Sequence, residues 1–334
     1  CYNYYTPPYA AGNAANYPCG CAATAMAQLM YFWQYPVNGV GTASFTITVN
    51  GSAQSRSLRG GDGAGGAYAW SSMVASPNSS TASAARQAIG ALCHDAGVAV
   101  SMDYTSAQSG ATMEDASQAL RTTFGYSRSV CGRNSNNNIG AGLNGMINPN
   151  LDAACPVLLG IYDAGVVNIH AIVCDGYGYN SSTLYHHLNM GWSQNYDAWY
   201  NLPTIDAGIA FNTVYTCVYN VWSSGSGEII SGRILDSAGS PISGATVTAS
   251  RSGGGTYTAT SNAKGIYALK PVPSYSSYSV SVSKSGYSFS SQNISTGYSS
   301  DLIATSGNSW GNNFQSTVTV SFTTGSQSKT ESGG

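Results

Sequence analysis

The chain has 334 residues, long enough for two domains, and only 8 % of them are charged, against roughly 25 % in an ordinary soluble domain. Glycine, serine, asparagine and 24 tyrosines take their place, giving the polar, largely uncharged surface that suits an extracellular protein. Residues 1–222 hold no lysine and six arginines against ten acids, and neither half carries a basic patch, so nucleic acid is not an expected partner. No run approaches the ~20 apolar residues of a membrane span. The sequence shows no signal peptide and starts at Cys1, which reads as a processed, secreted form. Cys1 is then a cleavage point or half of a disulfide, with a lipid anchor as the alternative.

Residues 1–18, rich in Tyr, Pro and Asn, read as an extended arm. From Ala22 to Trp33 the chain is almost wholly apolar and rich in Ala, Met and Leu, a helix apolar around most of its girth and therefore central to a core. Thr24 and Gln28, four apart, share a narrow polar stripe with Tyr31 and Tyr35. Pro36 ends the helix, and Gly20 allows a tight entry turn that leaves Cys21 at the first helical turn. Unpaired N–H groups and the helix dipole there favour thiolate over thiol. Ser44–Val49 alternates, and Asn50-Gly51 predicts a type I′ hairpin returning to Leu58. The glycine-rich loop 60–66 lacks a phosphate-binding pattern. Helices are expected at Ala82–Ala96 and at Met113–Phe124, the latter capped by Thr112. Strands follow at Pro156–Tyr162, His170–Cys174, Leu184–Asn189, Trp199–Leu202 and Val214–Trp222, an α+β arrangement of helices on an antiparallel sheet.

Residues 223–227 (SSGSG) read as a flexible linker. Residues 228–315 show brief alternating strands and no helix pattern, a small all-β sandwich. Residues 316–334 read as a strand-like segment at 317–322 and a disordered tail.

All eight cysteines precede residue 222, and sequence alone does not give their pairing. Cys19-Gly20-Cys21 is too tight for a metal-binding CxxC arm, and His186-His187 lacks a partner motif, so no metal is expected. A cysteine protease needs a thiolate, an imidazole to pair with it and a group that orients the imidazole. His170 follows Cys21 by 149 residues and opens a strand, the helix-borne Cys and strand-borne His of a papain-type layout. His94, His186 and His187 read as structural; Asp163 and Asp175 read as turn or hydrogen-bonding residues.

Five blocks in order carry a resemblance: GCAATAMAQLMYFWQYP (20–36), YAWSSM (68–73), CHDAGVAVSMDYTSAQSGA with ALRTTFGYSRSV (93–130), HAIVCDGY (170–177) and YHHLNMGWSQNYDAWYNL (185–202). Residues 20–222 thus resemble the streptopain-like family of bacterial secreted cysteine proteases, a papain-like fold. The resemblance implies Cys21 as nucleophile, His170 as general base and acid, Asn189 as an aid to imidazole orientation and Trp192 as a shield of the dyad from water. It also implies a zymogen whose pro-segment precedes Cys1, and a preference for an apolar residue just N-terminal to the residue at the cut. Met190 stands where the family has Trp; Gln194 and Ala198 stand where it has Gly. The oxyanion hole is expected from the Cys21 N–H plus a second donor, with Asn13 and Asn16 as candidates. SGRILDSAGSPISGATVTAS (231–250) and residues 260–290 resemble the carboxypeptidase-regulatory-like, transthyretin-like sandwich, a module that spaces, docks or adheres.

The expected function is a secreted cysteine endopeptidase (peptidase family C10) acting on protein or peptide substrates through a thioester acyl-enzyme, with no cofactor. The competing expectation is a catalytically weak or inactive protease-like structural or surface-assembly protein, self-associating or attached to a surface through its C-terminal module. Low charge, the terminal strand and Met190 motivate it.

Overall fold

The computed structural model describes residues 1–317 apart from residue 136. The strand expected at 317–322 and the tail beyond it therefore lie, past residue 317, outside the described residues. Helix α1 (Cys21–Trp33) runs through the centre, with Ala22–Ala27, Leu29 and Met30 buried. It starts after Gly20, whose φ of +91° disfavours any side chain; a Cβ there would also meet Met102 at 2.7 Å. It ends at left-handed Gln34, whose N–H bonds the Met30 and Tyr31 carbonyls.

The hairpin of β1 (Ser44–Val49) and β2 (Ser52–Ser57) turns through Asn50 and Gly51, both at positive φ as a type I′ turn requires. Helix α2 (Ser83–Ala99), the short β3 (Asp103–Tyr104) and β4 (Ser109–Gly110), and α3 (Met113–Thr122) follow. The Thr112 hydroxyl caps α3 by accepting the Asp115 N–H at 3.1 Å. These helices and α1 enclose one apolar core.

The remainder of this half is a seven-stranded antiparallel sheet built from β5 (Arg128–Arg133), β6 (Val157–Asp163), β7 (Ile169–Asn180), β8 (Thr183–Asn189), β9 (Ala198–Tyr200), β10 (Ile205–Asp206) and β11 (Ala210–Trp222). The order is β10-β11-β6-β7-β8-β9, with β5 also on β11. Helix α4 (Leu143–Asp152) packs on it, although its sequence LNGMINPNLD holds Gly and an internal Pro149 and favours no helix. Buried Leu143, Met146 and Ile147 on the sheet outweigh that propensity, and Asn150 fastens the helix to Asn220 at 3.0 Å.

The β-rich part is a sandwich. One sheet orders β15 (Ile266–Val272), β12 (Glu228–Leu235) and β18 (Phe314–Gln315). The other orders β14 (Thr256–Thr260), β13 (Thr246–Arg251), β16 (Ser277–Ser283) and β17 (Gln292–Ser295). Alternate side chains such as Ile230, Val247, Leu269 and Val280 face inward.

The two parts are closely joined. Residues 223–227, expected to be a flexible linker, are pinned: Ser127 Oγ donates to the Gly225 carbonyl at 2.7 Å, and Arg128 reaches Ser226. Glu228, fully buried, accepts from Arg128 at 3.0 Å, from the Ser274 hydroxyl, from the Ser299 N–H and hydroxyl, and from Asn220. Residues 301–303 then return to lie along β5. There the Leu302 N–H donates to the Cys131 carbonyl at 2.8 Å, and the Arg133 N–H to the Ile303 carbonyl at 3.1 Å. Gly142 is required where this strap passes, because a Cβ would stand 1.8 Å from the Ala304 oxygen.

Removing one partner of a buried pair leaves an uncompensated charge. Arg128→Met is therefore expected to cost about 3–5 kcal/mol in urea unfolding, and Arg128→Met with Glu228→Gln much less. Asp152 gives a pH test. It accepts from the Tyr177 and Ser231 hydroxyls, each at 2.7 Å, and burial raises its pKa from 3.8 to about 6. A raised carboxyl pKa contributes stability below the unfolded value and loses it as pH rises through 6. The unfolding temperature of the wild type relative to Asp152→Asn should therefore climb as pH falls from about 7 to about 4; a flat difference would contradict this.

Candidate active site

Cys21 opens α1, half-buried in the wall of a cleft of ≈ 360 Å³ that His170, on β7, also lines. The Cys21 thiol meets the backbone N–H of Ala171, the residue after His170. Sequence pattern favours thiolate here, but the structure tips the balance the other way. Burial pushes the Cys21 thiol up, and the N–H groups of Ala171, Ala22 and Cys21 itself offset this only in part.

The imidazole of His170 is buried and stacks on Trp192, ring centroids 4.6 Å apart at 23°. Its Nε2 lies 2.8 Å from the Met190 carbonyl. A carbonyl only accepts, so Nε2 carries the proton in the neutral ring and Nδ1 keeps its lone pair. Desolvation holds the His170 pKa below 6.5, opposed in part by that carbonyl.

Asn189, expected to orient the imidazole, is bonded elsewhere. Its Oδ1 accepts from the Gly191 N–H at 2.9 Å and from Gln28 at 3.4 Å, which ties the Trp192 loop to α1. Orientation of the imidazole falls to the Met190 backbone. Met190 itself is 0 % exposed, its side chain in the second core with Leu188 and Ile172. Its N–H donates to Asp197 at 2.8 Å, closing the loop 190–197. Gln194, where the resemblance has glycine, takes φ +69°, a left-handed conformation that glycine adopts without strain.

Neither expected second oxyanion donor reaches the cleft. The Asn16 amide is spent on the carbonyls of Asn3, Tyr4 and Ala10, and Asn13 caps its own turn through the Ala15 N–H. The Cys21 N–H remains as the helix-terminal donor. His94 bonds Asp95 and Arg56, His186 bonds Asn148, and His187 pairs with Asp175; all lie outside the cleft walls.

Sequence reading missed the Met190 carbonyl, Asp197 and the role of Gln28. The Thr24–Gln28 polar stripe was the available signal: Thr24 donates to the Gly20 carbonyl at 2.9 Å, and both residues face the cleft. Apart from His170, the side chains lining it are uncharged, and it continues past Tyr2, Gln28, Asn189 and Gly191 into a second hollow of ≈ 730 Å³.

A half-buried thiol at a helix N-terminus, sharing a cleft with a tautomer-locked imidazole, is the arrangement of a papain-like cysteine peptidase. Residues 1–200 match the Peptidase C10 family, and the chain belongs to it. Residues 229–305 match the carboxypeptidase regulatory-like domain. The chain is 27 % identical over 195 residues to streptopain of Streptococcus pyogenes, covering 56 % of this chain and 46 % of that protein. It is 28 % identical over 173 residues to the thiol protease/hemagglutinin PrtT of Porphyromonas gingivalis, covering 52 % and 19 %. It thus spans less than half the length of these relatives. Active wild-type interpain A of Prevotella intermedia superposes with a TM-score of 0.56 at 26 % identity, over 66 % of this chain and 89 % of that one.

If stacking is what keeps water from the imidazole, Trp192→Ala should move the His170 pKa upward toward about 6.5. The proton shifts of the ring, followed by NMR titration, check this; an unchanged midpoint would assign the desolvation to the other walls.

Proposed function

We propose that this chain is a secreted cysteine endopeptidase that cleaves peptide bonds through Cys21 and His170. The observation that carries the reading is the Nε2–H···O=C bond to Met190, which leaves Nδ1 as the only ring atom able to take the thiol proton. With the thiol raised and the imidazole lowered, the resting pair is neutral. His170 then acts as general base as Sγ attacks the substrate carbonyl, and as imidazolium it protonates the departing amine. The charge on the tetrahedral oxygen is met by the Cys21 N–H, and water releases the thioester with His170 again as base. Trp192 excludes bulk water, while Asn189 and Gln28 hold its loop in place. The open cleft, lined by uncharged side chains around His170 and continuing into a second hollow, suits an extended polypeptide, and substrates are proteins or peptides.

Cys21→Ala and His170→Ala should each lower kcat/KM by on the order of 10³-fold or more, with folding unchanged. An epoxysuccinyl probe should add once, at Cys21, and not to either variant. Because the base must be neutral, the acid limb of kcat/KM should fall below pH ~6.5. No adduct on reduced, folded protein would remove the protease reading.

A further inference from the structure

Two residues before the nucleophile, Cys19 has a different environment. Gly20, at φ +91°, turns the chain between them, so that Cys21 meets the Ala171 N–H while Cys19 points back to α2. Cys19 is 2 % exposed and Cys93, in the middle of α2, is 0 % exposed. Cys19 Sγ lies 3.8 Å from the Cys93 carbonyl, which brings the two thiols together in one core. Two buried thiols brought together from segments far apart in sequence are candidates for a covalent bond.

The arm on which Cys19 sits is already well ordered. Asn3 Oδ1 accepts the Cys19 N–H at 2.8 Å, and the Asn16 amide gathers three carbonyls of the same arm. The entry to α1 is thus held at a fixed place over α2 before any cross-link forms, which limits the strain of making one. Cys1 is the rival partner: its backbone carbonyl lies against Gly90 of α2, one turn from Cys93.

We infer that Cys19 and Cys93 form a disulfide in an oxidising medium, tying the entry of α1 to α2 while Cys21 remains a thiol. With a low-molecular-weight disulfide as oxidant, the thiolate of one cysteine attacks it and expels one thiolate. The second cysteine then attacks the mixed disulfide at the protein sulfur and expels the other. The protein pair loses two electrons and two protons, and the oxidant becomes two thiols. Because both sulfurs are buried, the exchange runs during folding or on local opening of the arm. The inference concerns a structural bond and stands apart from the proposed activity.

The test equilibrates the full wild-type chain in oxidised and reduced glutathione, quenches with acid, alkylates free thiols and maps the non-reduced digest by mass spectrometry. Fragmentation distinguishes Cys19 from Cys21 within their shared peptide. The expected result is a Cys19–Cys93 link with Cys21 alkylated, and an unfolding temperature roughly 5–10 °C higher in the oxidised form. That difference should vanish in Cys93→Ser. Alkylation of both Cys19 and Cys93 after oxidation, a link from either to Cys1 or Cys21, or an oxidised form no more stable than the reduced one would overturn the inference. The map needs no catalysis, so loss of probe labelling at Cys21 would count against the protease reading and leave this one untouched.

Discussion

Everything at the cleft depends on burying α1. A helix with eight buried positions has no polar face broad enough to sit on a surface, so the α2 and α3 side and the sheet must close around it. That closure brings its first turn against β7, and Cys21 against the Ala171 N–H. The same burial that positions the thiol also removes it from water, so the helix terminus does not yield a free-standing thiolate. Position and reactivity are set by opposing consequences of one packing event.

The imidazole is managed by backbone and not by a side-chain amide. A carbonyl cannot flip as an amide can, and it accepts from one ring nitrogen in one tautomer. Its own position is secured twice: Met190 is anchored in the second core by its side chain, and Asp197 holds its N–H. Met190 thus serves two ends at once, its side chain filling a core while its carbonyl holds the imidazole.

Most of this architecture was readable from residues with strong local rules. The α1 run, the Asn50-Gly51 turn, the Thr112 cap and the apolar strands around His170 each obey one dominant preference, and they form as written. What was not readable lacks such a rule. Helix α4 has a sequence that locally favours loops, and β5 alternates weakly; both exist because β11 offers them a surface. The imidazole partner escaped notice because a backbone carbonyl leaves no mark in a sequence. Asn13 and Asn16 are the right residue type for a donor, and type does not say that the Asn16 amide is already occupied by three carbonyls. The serine-glycine run at 223–227 has the composition of a tether, but its neighbours Ser127 and Arg128 supply the bonds that pin it.

The strap at 301–303 lies on the outer side of β5, whose other side pairs with β11. An open strand edge is a template for unwanted pairing, and here the chain covers it with its own later segment. Order of synthesis gives this a particular meaning. A ribosome delivers the papain-like half first, yet the piece that closes its sheet edge comes only after most of the sandwich has been made. The nascent first half therefore waits, its β5 edge bare, through the translation of nearly the whole second half, and the chain finishes its first domain last.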